Sequence, residues 1–110
     1  MLQIQLGKER PAFVDDDLGR MRIGSWPGMS EQDAWLAGRG VWKLNAERAL
    51  AQDEVQIVDL AGTVLAVARI TGITKCRDRY ALEGDVLLGD PRVGQPTAHP
   101  QPSRNAVAYF

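Results

Sequence analysis

Arg39, Trp42, Lys43 and Arg48 fall within ten residues, in RGVWKLNAER, with Glu47 as the one carboxylate among them. A guanidinium offers a two-pronged donor to phosphate or to a guanine edge, and an indole stacks on any base for about 1–3 kcal/mol. A second cationic run, KCRDR at 75–79, places Lys75, Arg77 and Arg79 around Asp78. Arg104 and Asn105 open the last apolar run; an Asn there reads a base edge or holds a turn. If these segments fold side by side, Arg39, Trp42, Lys43, Arg48, Lys75, Arg77, Arg104 and Asn105 form a local nucleic-acid-binding patch. In the competing reading Trp42 is core and the charges are a solvated, ion-paired surface. The two readings separate on whether Trp42 and Arg39 face a cleft or the core.

Other chemistries have less to build on. Cys76 is the single cysteine, so a disulfide within the chain and a multi-Cys metal site are excluded, and no general base is marked for it; it reads as an incidental thiol in a turn. His99 is the single histidine and stands among prolines, which leaves no Ser-His-Asp arrangement to argue. Asp15-Asp16-Asp17 lacks the spacing and Gly of a calcium loop and reads as a solvated acidic turn. GDPRVG lacks the Gly-Lys-Ser/Thr ending of a phosphate loop. No cofactor or metal site is expected.

The chain as a whole is not basic. It has 110 residues, 13 Lys and Arg against 14 Asp and Glu, and a formal net charge of −1. Strong nonspecific binding to polyphosphate needs many unopposed cations, so contacts should be few. The length allows one domain with one core. No run of 18 apolar residues is present and MLQIQLGKERP lacks the order of a signal peptide; with one cysteine, a cytoplasmic setting with no membrane is expected.

Several elements must position the patch. LQIQL at 2–6 alternates and predicts an edge strand. Ser30, with Asp33 three residues on, predicts a capped helix over EQDAWLA that stops at Gly38. RGVWKL reads as a short strand, and Asn45 caps a second helix, AERALAQ, with Ala46, Ala49 and Leu50 on one face. The clearest signal is VQIVDLAGTVLAVARITGIT, an antiparallel hairpin over 55–73 turning at Ala61-Gly62. YALEGDVLL is a further strand with a bulge or bend at Gly84. A proline-rich connection follows, and NAVAYF closes the chain as a strand. The expected fold is α+β: a small curled antiparallel sheet or barrel with one or two short helices. Residues 1–29 read as a strand and irregular extension, and 30–110 as the main part of a single domain.

The order of these pieces resembles the PUA-like superfamily, which includes ASCH and EVE domains. The likeness rests on WLAGRGVWKLNAERALAQ, with its RGxW followed by a basic residue; on the VQIVDLAGTVLAVARITG hairpin; on YALEG; and on SRNAVAYF. It spans residues 32–110, roughly three quarters of the chain. Ala106 stands where the pattern usually has Pro. The resemblance implies a PUA-like β-barrel, and a module that binds RNA or a modified base in single-stranded or other DNA rather than an enzyme, acting beside a processing or defence system. Two alternatives stay open: a protein-binding module of inhibitor or antitoxin type, and an ASCH-type hydrolase using Lys43 with Glu47.

Overall fold

The computed structural model describes residues 1–101 and 105–110 as one α+β domain. The hairpin expected at 55–73 forms. Strand β4 (Glu54–Val58) pairs antiparallel with β5 (Val64–Cys76), Val55 opposite Ala68 and Ile57 opposite Ala66. Its turn depends on Gly62, whose φ of +82° suits a residue without Cβ. The Gly62 N–H donates to the Asp59 carbonyl at 3.0 Å, and the Asp59 carboxylate accepts from the Thr63 N–H at 2.9 Å.

Strand β6 (Arg79–Val86) folds back on β5. The irregularity marked at Gly84 is present, carried by the opposite strand: Ile70 faces Gly84 and Gly72 faces Glu83, so Thr71 is the extra residue. A Cβ on Gly84 would lie 2.1 Å from the Arg69 carbonyl oxygen, which is why glycine stands there.

Strand β1 (Leu2–Gln5) departs from expectation. It is an inner strand, parallel to β4 and antiparallel to β7 (Val107–Tyr109). The sheet is therefore mixed, in the order β6-β5-β4-β1-β7, rather than wholly antiparallel. A parallel neighbour needs a long crossover, and the chain between β1 and β4 supplies one holding two short strands and both helices. The alternation that suggested a half-solvated edge is explained by Gln3, which is fully buried and hydrogen-bonded. Its Oε1 accepts from Gln56 Nε2 and from Thr97 Oγ1 at 2.6 Å; its Nε2 donates to the His99 carbonyl at 2.8 Å and to Gln101 Oε1 at 2.6 Å.

The two sheet faces are covered differently. Leu2, Ile4, Val55, Ile57, Ala66 and Ala68 pack with Ala34, Trp35 and Ala49 of the helices. Gln3 and Gln56 share the other face with Val58, Val64 and Val67, under Leu87, Val93 and Thr97 of the proline-rich connection. Helix α1 (Glu31–Gly38) has the expected capping box: Ser30 Oγ accepts from the Asp33 N–H, and the Asp33 carboxylate from the Ser30 N–H. Gly38 is the last helical residue rather than a left-handed stop; a Cβ there would meet Ile57 Cδ1 at 2.7 Å, so glycine lets the helix lie close on β4. Helix α2 (Ala46–Leu50) is capped by Asn45, whose Oδ1 accepts from the Arg48 N–H at 3.0 Å; Leu50 stays exposed, leaving Ala49 as its buried contact.

RGVWKL is not a strand. Arg39 O accepts from the Leu82 N–H and Trp42 exchanges both backbone bonds with Tyr80, so four residues span three of β6 and the ladder breaks after a single bridge. The sheet is open, with β6 and β7 as its edges, and no closed barrel forms among the described residues. It curls enough for both edges to face one connector: Trp42 bridges Tyr80 of β6, and the Tyr109 hydroxyl of β7 donates to the Asn45 carbonyl at 3.4 Å.

Candidate functional site

Two concavities flank this connector. The smaller, about 510 Å³, lies between Trp42–Asn45 and β7, with Arg79 at its side. The larger, about 1090 Å³, lies between the N-terminal segment and the β5–β6 tip, and Phe13, Trp42 and Cys76 contribute to its wall.

Among the described residues, the smaller gap is lined by two aromatic rings, Trp42 and Tyr109, and two cations, Lys43 and Arg79, and by no carboxylate. Arg48 adds a third cation, its guanidinium 4.1 Å from the centre of the Tyr109 ring. Burial raises the Tyr109 phenol above its ordinary value, so it stays neutral at physiological pH. Trp42 is half-buried. Its Nε1 donates to the Gly38 carbonyl at 2.7 Å, which fixes the ring, while part of it packs on the core. Trp42 thus belongs to core and gap together.

The larger cleft has charges of both signs, and most are matched. Asp16 holds Arg20 at 2.8 Å with both side chains nearly buried, and the Arg20 guanidinium also donates to the Leu36, Ala37 and Gly40 carbonyls. The hydrogen bond from Arg20 holds the Asp16 carboxyl below its ordinary value. Asp15 and Asp17 pair with Arg77 at 3.1 and 3.7 Å, and Glu9 pairs with Arg22 at 2.7 Å. The acidic run at 15–17 is an exposed turn at Asp15 and Asp17, as expected, but Asp16 is nearly buried on Arg20 and the outer pair clasps Arg77. Among the described residues no group of three or more His, Cys, Asp or Glu is placed to hold a metal ion.

The structure brings the 39–43 and 75–80 segments together through the Trp42–Tyr80 bridge and then sends their side chains different ways. Lys43 reaches the gap and Arg48 lies beside it on Tyr109. Arg39 lines neither concavity: its Nε donates to the Leu82 carbonyl at 2.9 Å and its Nη2 pairs with Glu83 at 2.7 Å. Arg77 lines the cleft inside its clasp, and Lys75 is exposed on the outer part of β5. Asn105 lines the gap, while Arg104 lies outside the described residues. Tyr109 is the aromatic wall residue that the sequence did not single out, and Arg79, named in the cationic run, falls outside the expected patch. Arg79 stood in the cationic run, and an alternating strand register would have set it apart from Arg77's turn position.

Cys76 is buried at the end of β5, its Sγ 3.8 Å from the Thr74 carbonyl. Lys43 and Glu47 are both exposed and form no ion pair among the described residues. No described helix is long and apolar enough to cross a membrane. No family model, curated protein or solved structure matches the chain.

Proposed function

We propose that this chain is a small PUA-like module that binds single-stranded or modified nucleic acid in the gap between Trp42–Asn45 and β7. The observation that carries the reading is the make-up of that wall: Trp42 and Tyr109 beside Lys43 and Arg79, with Arg48 on the Tyr109 ring and no lining carboxylate among the described residues, in a chain whose overall charge is negative. Aromatic faces accept any base, and the cations accept phosphate. A sheet that curls until both edges face the RGxW connector supports the PUA-like reading, with the gap standing where a barrel would close. Three cations near one strand imply a shallow salt dependence, a slope of about 2 in log K against log salt.

The test is fluorescence anisotropy with short labelled RNA and DNA strands, some carrying modified bases, at low salt. Wild type should bind with micromolar or weaker affinity. Lys43→Glu should weaken binding about tenfold, near 1.4 kcal/mol, without altering the melting temperature. Arg79→Ala should weaken it several-fold. Binding that survives unchanged in both variants moves the ligand elsewhere.

A second reading has its own observation. Phe13, Val14 and Met21 are exposed at 73%, 108% and 90% on the N-terminal segment. Large apolar side chains grouped at a surface mark protein contacts. If wild type binds no oligomer, a protein-binding module of inhibitor or antitoxin type takes first place.

A further inference from the structure

The gap and the larger cleft are neighbours. Trp42, Arg79 and Ala106 line both, so the gap and the cleft adjoin at these residues and together flank one side of the connector. A volume of about 300–1,000 Å³ holds a drug-sized ligand. The cleft alone reaches about 1090 Å³, and the gap adds to it. Together they have room for more than one nucleotide.

Charge along this surface supports the same conclusion. Among the cleft carboxylates, Asp16 pairs with Arg20 and Glu9 with Arg22, Asp15 and Asp17 share Arg77, and Asp78 adds its charge to the field at Arg77. Lys8, Arg10 and Arg79 are exposed, and their side chains make no ion pair among the described residues. After this pairing, Lys8, Arg10 and Arg79 stand against two carboxylate charges, one shared by Asp15 and Asp17 and one on Asp78, so the cleft keeps a small cationic excess, with Lys8 and Arg10 at its ribbon end.

Lys8 and Arg10 are held in place by the backbone. Strands β2 (Arg10–Pro11) and β3 (Arg22–Ile23) form a two-stranded ribbon, and Lys8 bridges Ser25. Gly24, at φ +82°, lies so close that a Cβ would sit 2.3 Å from the Lys8 carbonyl oxygen. Phe13, also on the cleft wall, exposes an aromatic face at this end.

We infer that the ligand is an extended single strand of about four or more nucleotides. It runs from Tyr109 past Trp42 and Arg79 to the ribbon, with Lys8 and Arg10 on its phosphates and Phe13 against a base. This rests on the gap being the nucleic-acid site, and the experiment separates the two claims.

Affinities of the full chain are measured for dT and rU strands of two, four and eight nucleotides, for wild type and for the Lys8→Ala/Arg10→Ala variant, with circular dichroism confirming the fold. Wild type should bind the eight-mer at least tenfold more tightly than the dinucleotide. The double variant should lose about tenfold on the eight-mer, with its salt slope lower by roughly 1.4, and stay within twofold on the dinucleotide. Equal affinity for two and eight nucleotides, or an unchanged eight-mer affinity in the variant, overturns the extended track and leaves the gap reading standing. No binding at any length overturns both. Displacement of the eight-mer by an octaglutamate peptide at equal concentration also overturns the proposal, in favour of an acidic protein partner.

Discussion

The gap and the cleft share a wall at Trp42 and Arg79 but treat charge in opposite ways. In the cleft, Arg20 and Arg77 are taken up by Asp16, Asp15 and Asp17. In the gap, Arg48 lies on the Tyr109 ring, Lys43 and Arg79 line the same wall as Trp42 and Tyr109, and no carboxylate among the described residues lines it. Arginine therefore has two roles on one small surface: in the cleft it fastens the N-terminal segment to the rest of the fold, and at the gap it remains available. A count of cations along the sequence cannot separate these roles, because the difference lies in which carboxylates fold beside them.

The largest expected effect comes from breaking the cleft's most enclosed pair. Arg20→Ala leaves Asp16 without its partner and three backbone carbonyls, those of Leu36, Ala37 and Gly40, without their donor. Both side chains of the pair are near 10% exposed, at 11% and 8%. Removing one member of a buried pair costs roughly 3 kcal/mol, a large share of a small domain's stability. Urea denaturation measures it. A loss below about 1 kcal/mol would place this pair with ordinary surface ion pairs and erase the contrast with the gap.

How much of this was legible follows from the range of the interactions. The 55–73 hairpin and the Ser30 and Asn45 caps depend on neighbours a few residues away, and their residue types announce them. The inner position of β1 depends on Gln56, Thr97 and His99, which lie 53 to 96 residues from Gln3. A buried glutamine is tolerable only when fully hydrogen-bonded, and the alternation of LQIQL carries no sign of such distant partners. RGVWKL has strand-like residues, yet only Trp42 forms a full bridge with β6; Arg39 accepts a single backbone bond from Leu82, and the mismatched spacing between the two stops the ladder. At the site, Trp42, Lys43 and Arg48 were readable as a local cluster. Arg39 was not separable from them, since its Glu83 partner stands on another strand.

A third pair, outside both concavities, calibrates the comparison through pH. Arg92 bonds Asp90 at 2.8 Å and also reaches Glu54 at 3.0 Å. The hydrogen bonds from Arg92 hold the Asp90 carboxyl down to about 2, below its ordinary 3.8. A depressed carboxyl value in the folded state stabilises fully above the ordinary value, and that contribution is lost as pH falls from about 4 toward 2. After allowance for solvent screening it is about 1–2 kcal/mol. Unfolding free energies from urea titrations of wild type and Arg92→Gln should differ by that amount at pH 6 and converge near pH 2. A constant difference across that range would mean that Arg92 acts through packing instead.

The smallest effect on stability and the sharpest on the comparison come from the outer clasp. Arg77 is 65% exposed, and its partners Asp15 and Asp17 are 68% and 32% exposed. Exposed pairs of this kind add little to folding, so Arg77→Ala and Asp15→Asn/Asp17→Asn should both melt at the wild-type temperature within error. Their effects on an eight-nucleotide strand should nevertheless be opposite in sign. Arg77→Ala leaves two carboxylates without their shared partner in the cleft and should weaken binding two- to threefold. The double asparagine variant releases Arg77 from both partners and should strengthen binding by a similar factor. Both effects should shrink as salt rises, because a Debye length of about 10 Å at 0.1 M screens charges at the cleft mouth. Anisotropy titrations at low and moderate salt read all of this. Equal affinities across the three proteins at low salt would take the cleft out of the ligand's path and leave the gap as the whole site.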